Sequence, residues 1–473
     1  MTLLFGIGAY LVLMLIIGAV AGRKVKTVED YLVAKRRLPF FMAVPTIVAT
    51  WFGAGSCMGV SGTVHRGSFY EVIADPFACS CGLVIAGLFF AARFRRTEKF
   101  TISDVLGKAY GKQVERFSSL LMLPFYVGTL ASQMLALGVI FHIATGLDMQ
   151  MGILIGSAIV VLYTMAGGMW AVSCTDFVQL ALLIVGLTLL FTITWRSAPL
   201  QETLPQFWHE FSELKPQSLG LFPFLAFIGQ LLMTGLGAIM GQDLIQRFFS
   251  CRTEKVAKWS TITAGGGYFA LGLIPLFIGV AGRALYPHLS ASDQLLPQLA
   301  RDHLSTFTFS LFAAGLIAAI MSTADSYLLA GTAILTQNIF KTKNLKMMRA
   351  SNLIIAAVSF TVAMFSKSIF NLMVHSGATL FVSIFVPTAL ALYGKKANNY
   401  PLAAWTSMLS GLVGWLGWLF LIKPHVLSFE EHLFAAATVG GIASLCGYYV
   451  PVVTRYTHST LRIGISAAPK PRA

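Results

Sequence analysis

Apolar residues along this 473-residue chain gather into blocks of about 20, parted by short gaps that carry charge, Gly or Pro. A helix of that length crosses roughly 30 Å of hydrocarbon. Set against the gaps, the blocks predict thirteen helices, at about 3–22, 39–61, 69–92, 117–145, 150–171, 175–195, 219–246, 259–282, 304–340, 350–366, 369–393, 401–422 and 432–452. The block at 304–340 is long enough to carry an amphipathic extension beyond the membrane. No basic residues precede the first block, and Arg23, Lys24 and Lys26 follow it where a signal peptide has small residues. It reads as a retained helix.

Composition narrows the class. Hydrophobic residues make up 56% of the chain and charged residues 11%, against roughly a quarter charged in a soluble domain, which excludes a water-soluble globule. The net charge of +15 invites a nucleic-acid partner, but topology accounts for it. With alternate gaps on opposite sides, 27 of the 34 Lys and Arg fall on one side and 7 on the other. Such an excess marks the cytoplasmic face, so the chain is expected in a cell membrane with its N-terminus outside and the 453–473 tail inside. The partners are then the lipid bilayer and a small solute, not nucleic acid. Five of the six cysteines (Cys57, Cys79, Cys81, Cys174 and Cys446, but not Cys251) sit inside apolar blocks and read as small buried hydrophobes.

The middle of the spans reads as free of Lys and Arg, yet Glu71, Asp75, Asp176, Asp243 and Asp325 fall within or beside apolar blocks. A carboxylate at a helix centre costs about 2.5–3.5 kcal/mol on insertion, so each needs a polar partner, a proton or a cation. For Glu71 and Asp243 the plainer reading is an interfacial position, and Asp75, just before Pro76, could cap a resumed helix. Asp325 shares one helical face with Ser322 and Ser326 through i, i+3, i+4 spacing. Oxygen ligands of this kind suit a hard cation such as Na⁺, the alternative being hydroxyls that bond back to the preceding turn. Two glycine clusters, Gly53–Gly59 and Gly235–Gly241, both read G-x-G-x-x-M-G and begin in helices an odd number of spans apart. Repeats starting there would be inverted, and glycine-interrupted helices at matching places in two halves point to a transporter binding site. Small-residue helix packing is the competing explanation.

These residues resemble the sodium:solute symporter family from about Asp30 to Ala397. Asp30-Tyr31-Leu32-Val33-Ala34-Lys35-Arg36 is similar to its D-Y-x-x-A-x-R signature. Gly167-Gly168-Met169-Trp170-Ala171-Val172, followed by Thr175-Asp176-Phe177-Val178-Gln179, resembles its GG-x-x-A/S-V…TD-x-x-Q motif. Gln242 through Gln246-Arg247, then Ser250-Cys251-Arg252-Thr253, is similar to its Q-x-x-x-Q-R…CRT stretch, and Ala318 to Ser326 to its sodium-site helix. The resemblance implies an all-α polytopic leucine-transporter fold. It has a leading helix (3–22), a 5+5 inverted repeat (39–196 and 219–393) and two trailing helices (401–452). It further implies a main Na⁺ on the backbone carbonyls of Ala49, Phe52 and Ala319 and the hydroxyls of Ser322 and Thr323. A second Na⁺, present in some members, would map to Asp176, Ser322 and Ser326, with Asp325 where those members have serine. Ala49-Thr50-Trp51 and Ala324-Asp325-Ser326 look nearest to the choline-transporting branch, but Cys79, Thr129 and Gly241 stand where that branch has cage aromatics.

The expected function is therefore secondary active Na⁺/solute symport by alternating access. The solute is expected at the midplane, among Trp51, Gly53, Gly55, Ser56, Asp75, Gln133, Gly241, Gln242 and His375. A proton-coupled carrier or a transporter-like sensor is the alternative, with Asp176 or Asp325 titrating. No H-E-x-x-H or G-x-S-x-G lies at membrane depth, so no enzyme activity is expected. With no Lys or Arg predicted to pair an anion, a neutral or zwitterionic solute is favoured, then an organic cation, then a simple anion.

Overall fold

The computed structural model describes residues 2–466 apart from 68–71, 198–199, 213–220, 290, 367–376, 395–399 and 422–428. Among the described residues every regular element is helical, and the one β-type pairing is an isolated bridge between Leu38 and Cys251. Among the described residues ten helices are long and apolar enough to cross a membrane, eleven if the bent pair Phe40–Trp51 and Gly55–Arg66 is one span. Met149–Arg196 runs for 48 residues, about 70 Å at 1.5 Å per residue and twice what one crossing needs. It breaks at Gly168 (φ 50°, ψ −139°), three residues inside the end of the span predicted at 150–171, so the second span starts earlier than the predicted 175. A Cβ at Gly168 would sit 2.4 Å from the carbonyl oxygen of Tyr31, so the break needs glycine for both its φ and its space. The apolar helix Gly377–Tyr393 covers the described part of the predicted 369–393 span. The final helix, Phe429–Ser466, runs past 452 into the segment predicted as a tail.

The polar ends have local causes. Thr27 and Asp30 form a capping box that starts the helix Val28–Val33. Burial pushes the Asp30 carboxyl up, but the Thr27 hydroxyl, the amides of Lys26 and Thr27 and the nearby Lys35 outweigh it, leaving it below the ordinary carboxylate range.

Burial orders the bundle. The apolar stretch of Thr306–Ile339 is 83% buried, against 28% for the first helix and for Pro401–Leu421. The helix carrying Ser322 to Ser326 is thus the central one. Pro401–Leu421 and Phe429–Ser466 pack on each other and on the segment Leu380–Phe385. Large apolar side chains such as Phe5, Phe365 and Phe420 point outward, as a lipid-facing surface requires.

Candidate functional site

Two helices break where polar groups gather. Phe40–Trp51 ends at Phe52 (φ −85°, ψ 68°), and the chain resumes 61° away in Gly55–Arg66. The Gly53 amide donates to the Trp51 carbonyl at 3.0 Å, so one helical turn is lost there. The other break is at Gly241 (φ −66°, ψ 129°), between Ala238–Met240 and Gln242–Ser250. Both predicted helices are therefore interrupted, but at opposite ends of the matching glycine pattern: the first just before its cluster, the second at the last glycine of its cluster. The sequence match located the helices without aligning the breaks.

A cavity of about 160 Å³ opens beside the first break. Of the residues expected to meet solute, Trp51, Gly53, Gly55, Ser56, Asp75 and Gln133 line it, together with Thr323, Asp243, Tyr268 and Tyr327. Asp75 interrupts its own helix (φ −140°, ψ 120°). Its Oδ2 accepts from Ser56 Oγ at 2.6 Å and Tyr268 Oη at 2.9 Å, so the carboxylate faces the hydroxyls and is not a helix cap. Gln133 Oε1 accepts the Ala54 amide at 3.1 Å, which pins the broken segment. Gly241 and Gln242 are not among the lining residues. Gln242 is fully buried and spans two other elements, accepting the Ile102 amide and donating to the Phe100 carbonyl, both at 2.8 Å. Its side chain is used up in holding the bundle together. His375 and Glu71 lie outside the described residues.

Next to the cavity, neutral oxygens converge. Ser322 Oγ and Thr323 Oγ1 lie 3.1 and 3.2 Å from the Ala49 carbonyl, and 2.8 and 3.3 Å from that of Ala319. Phe52 follows as the turning residue at the end of the same helix. A Cβ on Gly53 would come within 2.5 Å of Thr323 Oγ1 and 2.8 Å of Gln133 Oε1, so the two helices touch through a glycine. Hydroxyls can rotate their lone pairs toward an ion, and carbonyls already present theirs. This donor set fits a hard cation.

One residue turn further along, the chemistry is ionic. Asp176 accepts from the Thr46 hydroxyl, and Asp325 from Tyr163 Oη at 2.6 Å and Ser326 Oγ at 3.2 Å. Arg247 joins them: fully buried, it places Nη2 2.5 Å from Ser326 Oγ and 3.9 Å from Asp176 Oδ2. The expectation that no basic side chain reaches this depth is therefore wrong, and Arg247 leaves the loop tally. Asp243 is likewise not interfacial: it is 1% exposed and accepts from Trp51 Nε1 at 3.0 Å. The signal was in the sequence, because Asp243 and Arg247 are four apart on one helix and so share a face. The helix runs on to Ser250, four residues past the end of the predicted 219–246 block.

Comparison with known proteins agrees with this architecture. The model of the sodium:solute symporter family matches residues 31–411. The high-affinity choline transporter 1 of Drosophila melanogaster is 25% identical over 471 residues, covering 92% of this chain and 75% of that protein. The osmoregulated proline transporter of Bacillus subtilis is 28% identical over 454 residues, 88% of each chain. Among solved structures, a Na⁺-coupled sialic acid symporter in a substrate-bound outward-open state superposes with a TM-score of 0.81 at 17% identity, covering 94% of this chain and 96% of the other. A nucleobase-cation-symport-1 family transporter gives 0.60 at 15% identity, covering 92% and 96%. The fold is that of leucine-transporter-like carriers, multi-pass and all-α.

Proposed function

Because the chain belongs to the sodium:solute symporter family, a family of sodium-coupled carriers and not of enzymes, we propose that it is a Na⁺/solute symporter working by alternating access on a small organic solute. The observation that carries this reading is the meeting of Ser322, Thr323 and the Ala49 carbonyl beside a cavity at a broken helix. In this proposal Na⁺, as cargo, takes the carbonyls of Ala49, Phe52 and Ala319 and the hydroxyls of Ser322 and Thr323. Thr323 both lines the cavity and touches Ala49, so an ion there stiffens the wall that the solute meets. Ion and solute then favour the same conformer, which is coupling in the thermodynamic sense. We propose one Na⁺ at this site. A second, at Asp176, Asp325 and Ser326, requires the Arg247 guanidinium to leave Ser326.

The repeats are taken as 39–196 and 219–393, with the N-terminus outside and the C-terminus cytoplasmic. For the solute, relatives that carry choline and proline support a small neutral, zwitterionic or cationic molecule. Proton coupling is the second reading, favoured by buried oxygens of Asp176 and Asp243 that have no hydrogen-bond partner. Uptake into proteoliposomes separates the two. Accumulation driven by a Na⁺ gradient at constant pH supports symport with Na⁺, whereas accumulation driven by a pH gradient in Na⁺-free buffer supports the proton.

A further inference from the structure

Two carboxylates, Asp75 and Asp243, line the cavity, and among its described lining residues there is no Lys or Arg. They are provided for differently. Asp243 accepts the Trp51 indole N–H at 3.0 Å, and the Arg247 guanidinium is held next to it by a 2.9 Å bond to the Asp243 backbone carbonyl. Among the described residues Asp75 has no cation beside it. Both of its donors, the Ser56 and Tyr268 hydroxyls, crowd onto Oδ2, while Oδ1 is buried with no partner. Even those two hydroxyls are shared. Ser56 Oγ also lies 3.1 Å from the Trp51 carbonyl, and the two hydroxyl oxygens are 2.6 Å apart. Two hydroxyl protons thus serve three acceptors, which leaves a carboxylate at this depth without a countercharge and with no donor for Oδ1.

We infer that the solute carries a protonated amine with at least one N–H, and that Asp75 is the residue that pairs with it. This rests on the cavity being the solute site. An ammonium supplies the missing charge and the missing hydrogen bond together, which a neutral polyol or a fully alkylated ammonium does not. The walls do not decide between the two kinds of ammonium: Trp51, Phe125, Tyr268, Tyr327 and Phe434 line the cavity and offer ring faces to either, so the discrimination falls to the carboxylate. Asp75 is thus a specificity-determining residue, separating amines that keep an N–H from those that have lost it.

The test uses the purified full chain and a series in which methyl groups replace N–H one at a time: ethanolamine, its N-methyl and N,N-dimethyl derivatives, and choline, with ethylene glycol as the neutral control. Thermal stabilisation is titrated in Na⁺ and in K⁺. In Na⁺, ethanolamine is expected to bind about tenfold tighter than choline, with no response to ethylene glycol. Asp75→Asn should weaken ethanolamine about a hundredfold while its own stabilisation by Na⁺ persists. Should Asp75→Asn fail to fold, the methyl series on the unaltered protein decides the matter without it. Choline binding as tightly as ethanolamine overturns the inference, as does Asp75→Asn with unchanged ethanolamine affinity. If Na⁺ stabilises the protein but no amine does, the amine inference falls and the sodium site stands. If neither Na⁺ nor any amine has an effect, the underlying symporter reading falls with it.

Discussion

Two polar clusters lie one turn apart on the central helix Thr306–Ile334, and they solve the problem of burial in opposite ways. The Ser322–Thr323 cluster is built from neutral oxygens: two hydroxyls and the Ala49 and Ala319 carbonyls. Nothing in it carries charge, and its hydroxyl protons have somewhere to go without an ion. The Asp176–Asp325 cluster is ionic and holds its own cation, the Arg247 guanidinium, at zero exposure on both sides of the pair. Neutral oxygens bind a visiting ion reversibly, because releasing it strands no charge. Carboxylates with a resident guanidinium are a fixture, because losing the cation strands two. Under the proposed symport, the visiting ion therefore belongs to the neutral cluster and the structural role to the ionic one.

The largest effect should come from removing the fixture. Arg247→Met leaves Asp176 buried without its cation, which costs about 3–5 kcal/mol. Thermal unfolding in detergent should fall accordingly, and Arg247→Met/Asp176→Asn should recover part of the loss, as directly coupled partners do. A single variant as stable as the parent breaks the comparison. If Na⁺ selectively restores the single variant, the ionic cluster becomes an ion site once its own cation is gone.

Next come the neutral ligands. Thr323→Ala and Ser322→Ala should each raise the Na⁺ concentration for half-maximal uptake about tenfold, because no water replaces a lost ligand at that depth. Stability should change far less than in Arg247→Met. Gly53→Ala should act on ion and solute at once, since the added Cβ meets Thr323 Oγ1 and Gln133 Oε1 inside contact distance. Solute affinity falling while Na⁺ dependence stays fixed would separate the cavity from the ion cluster and undo the coupling argument.

How much of this was legible in the sequence follows from which signals are local. Hydropathy blocks gave the spans because a membrane demands about 20 apolar residues for each crossing, whatever the tertiary packing. The i, i+3, i+4 spacing put Ser322, Asp325 and Ser326 on one face for the same reason. What failed was depth and register. The apolar block stops at Gln246, which puts Arg247 in a loop, but the helix runs on to Ser250 and buries it. Gln242 reads as a solute contact in the sequence, but its amide is consumed by Phe100 and Ile102, contacts about 140 residues away. Asp75 beside Pro76 carries two readings in the sequence, a solute contact and a helix cap; the carboxylate faces Ser56 and Tyr268, and no local pattern announces partners from two other helices.

The smallest effect is also the sharpest discriminator between the clusters. Ser326 is the hydroxyl on the border: it donates to the Ser322 carbonyl at 2.7 Å, lies 3.2 Å from Asp325 Oδ1 and receives Arg247 Nη2 at 2.5 Å. Ser326→Ala removes one acceptor of the guanidinium while Asp176 and the Asp243 carbonyl remain, so stability should drop by only about 1 kcal/mol. The two readings of the ionic cluster diverge on the sodium titration. If Arg247 is its permanent cation, Ser326→Ala leaves the half-saturating Na⁺ concentration and the steepness of the uptake curve as they were, in contrast to Ser322→Ala one turn away. If a second Na⁺ visits Asp176 and Asp325 during transport, the loss of Ser326 must lower that steepness. Uptake measured against Na⁺ for this pair of serine variants, at matched expression, therefore counts the ions as well as testing the division of labour along the helix.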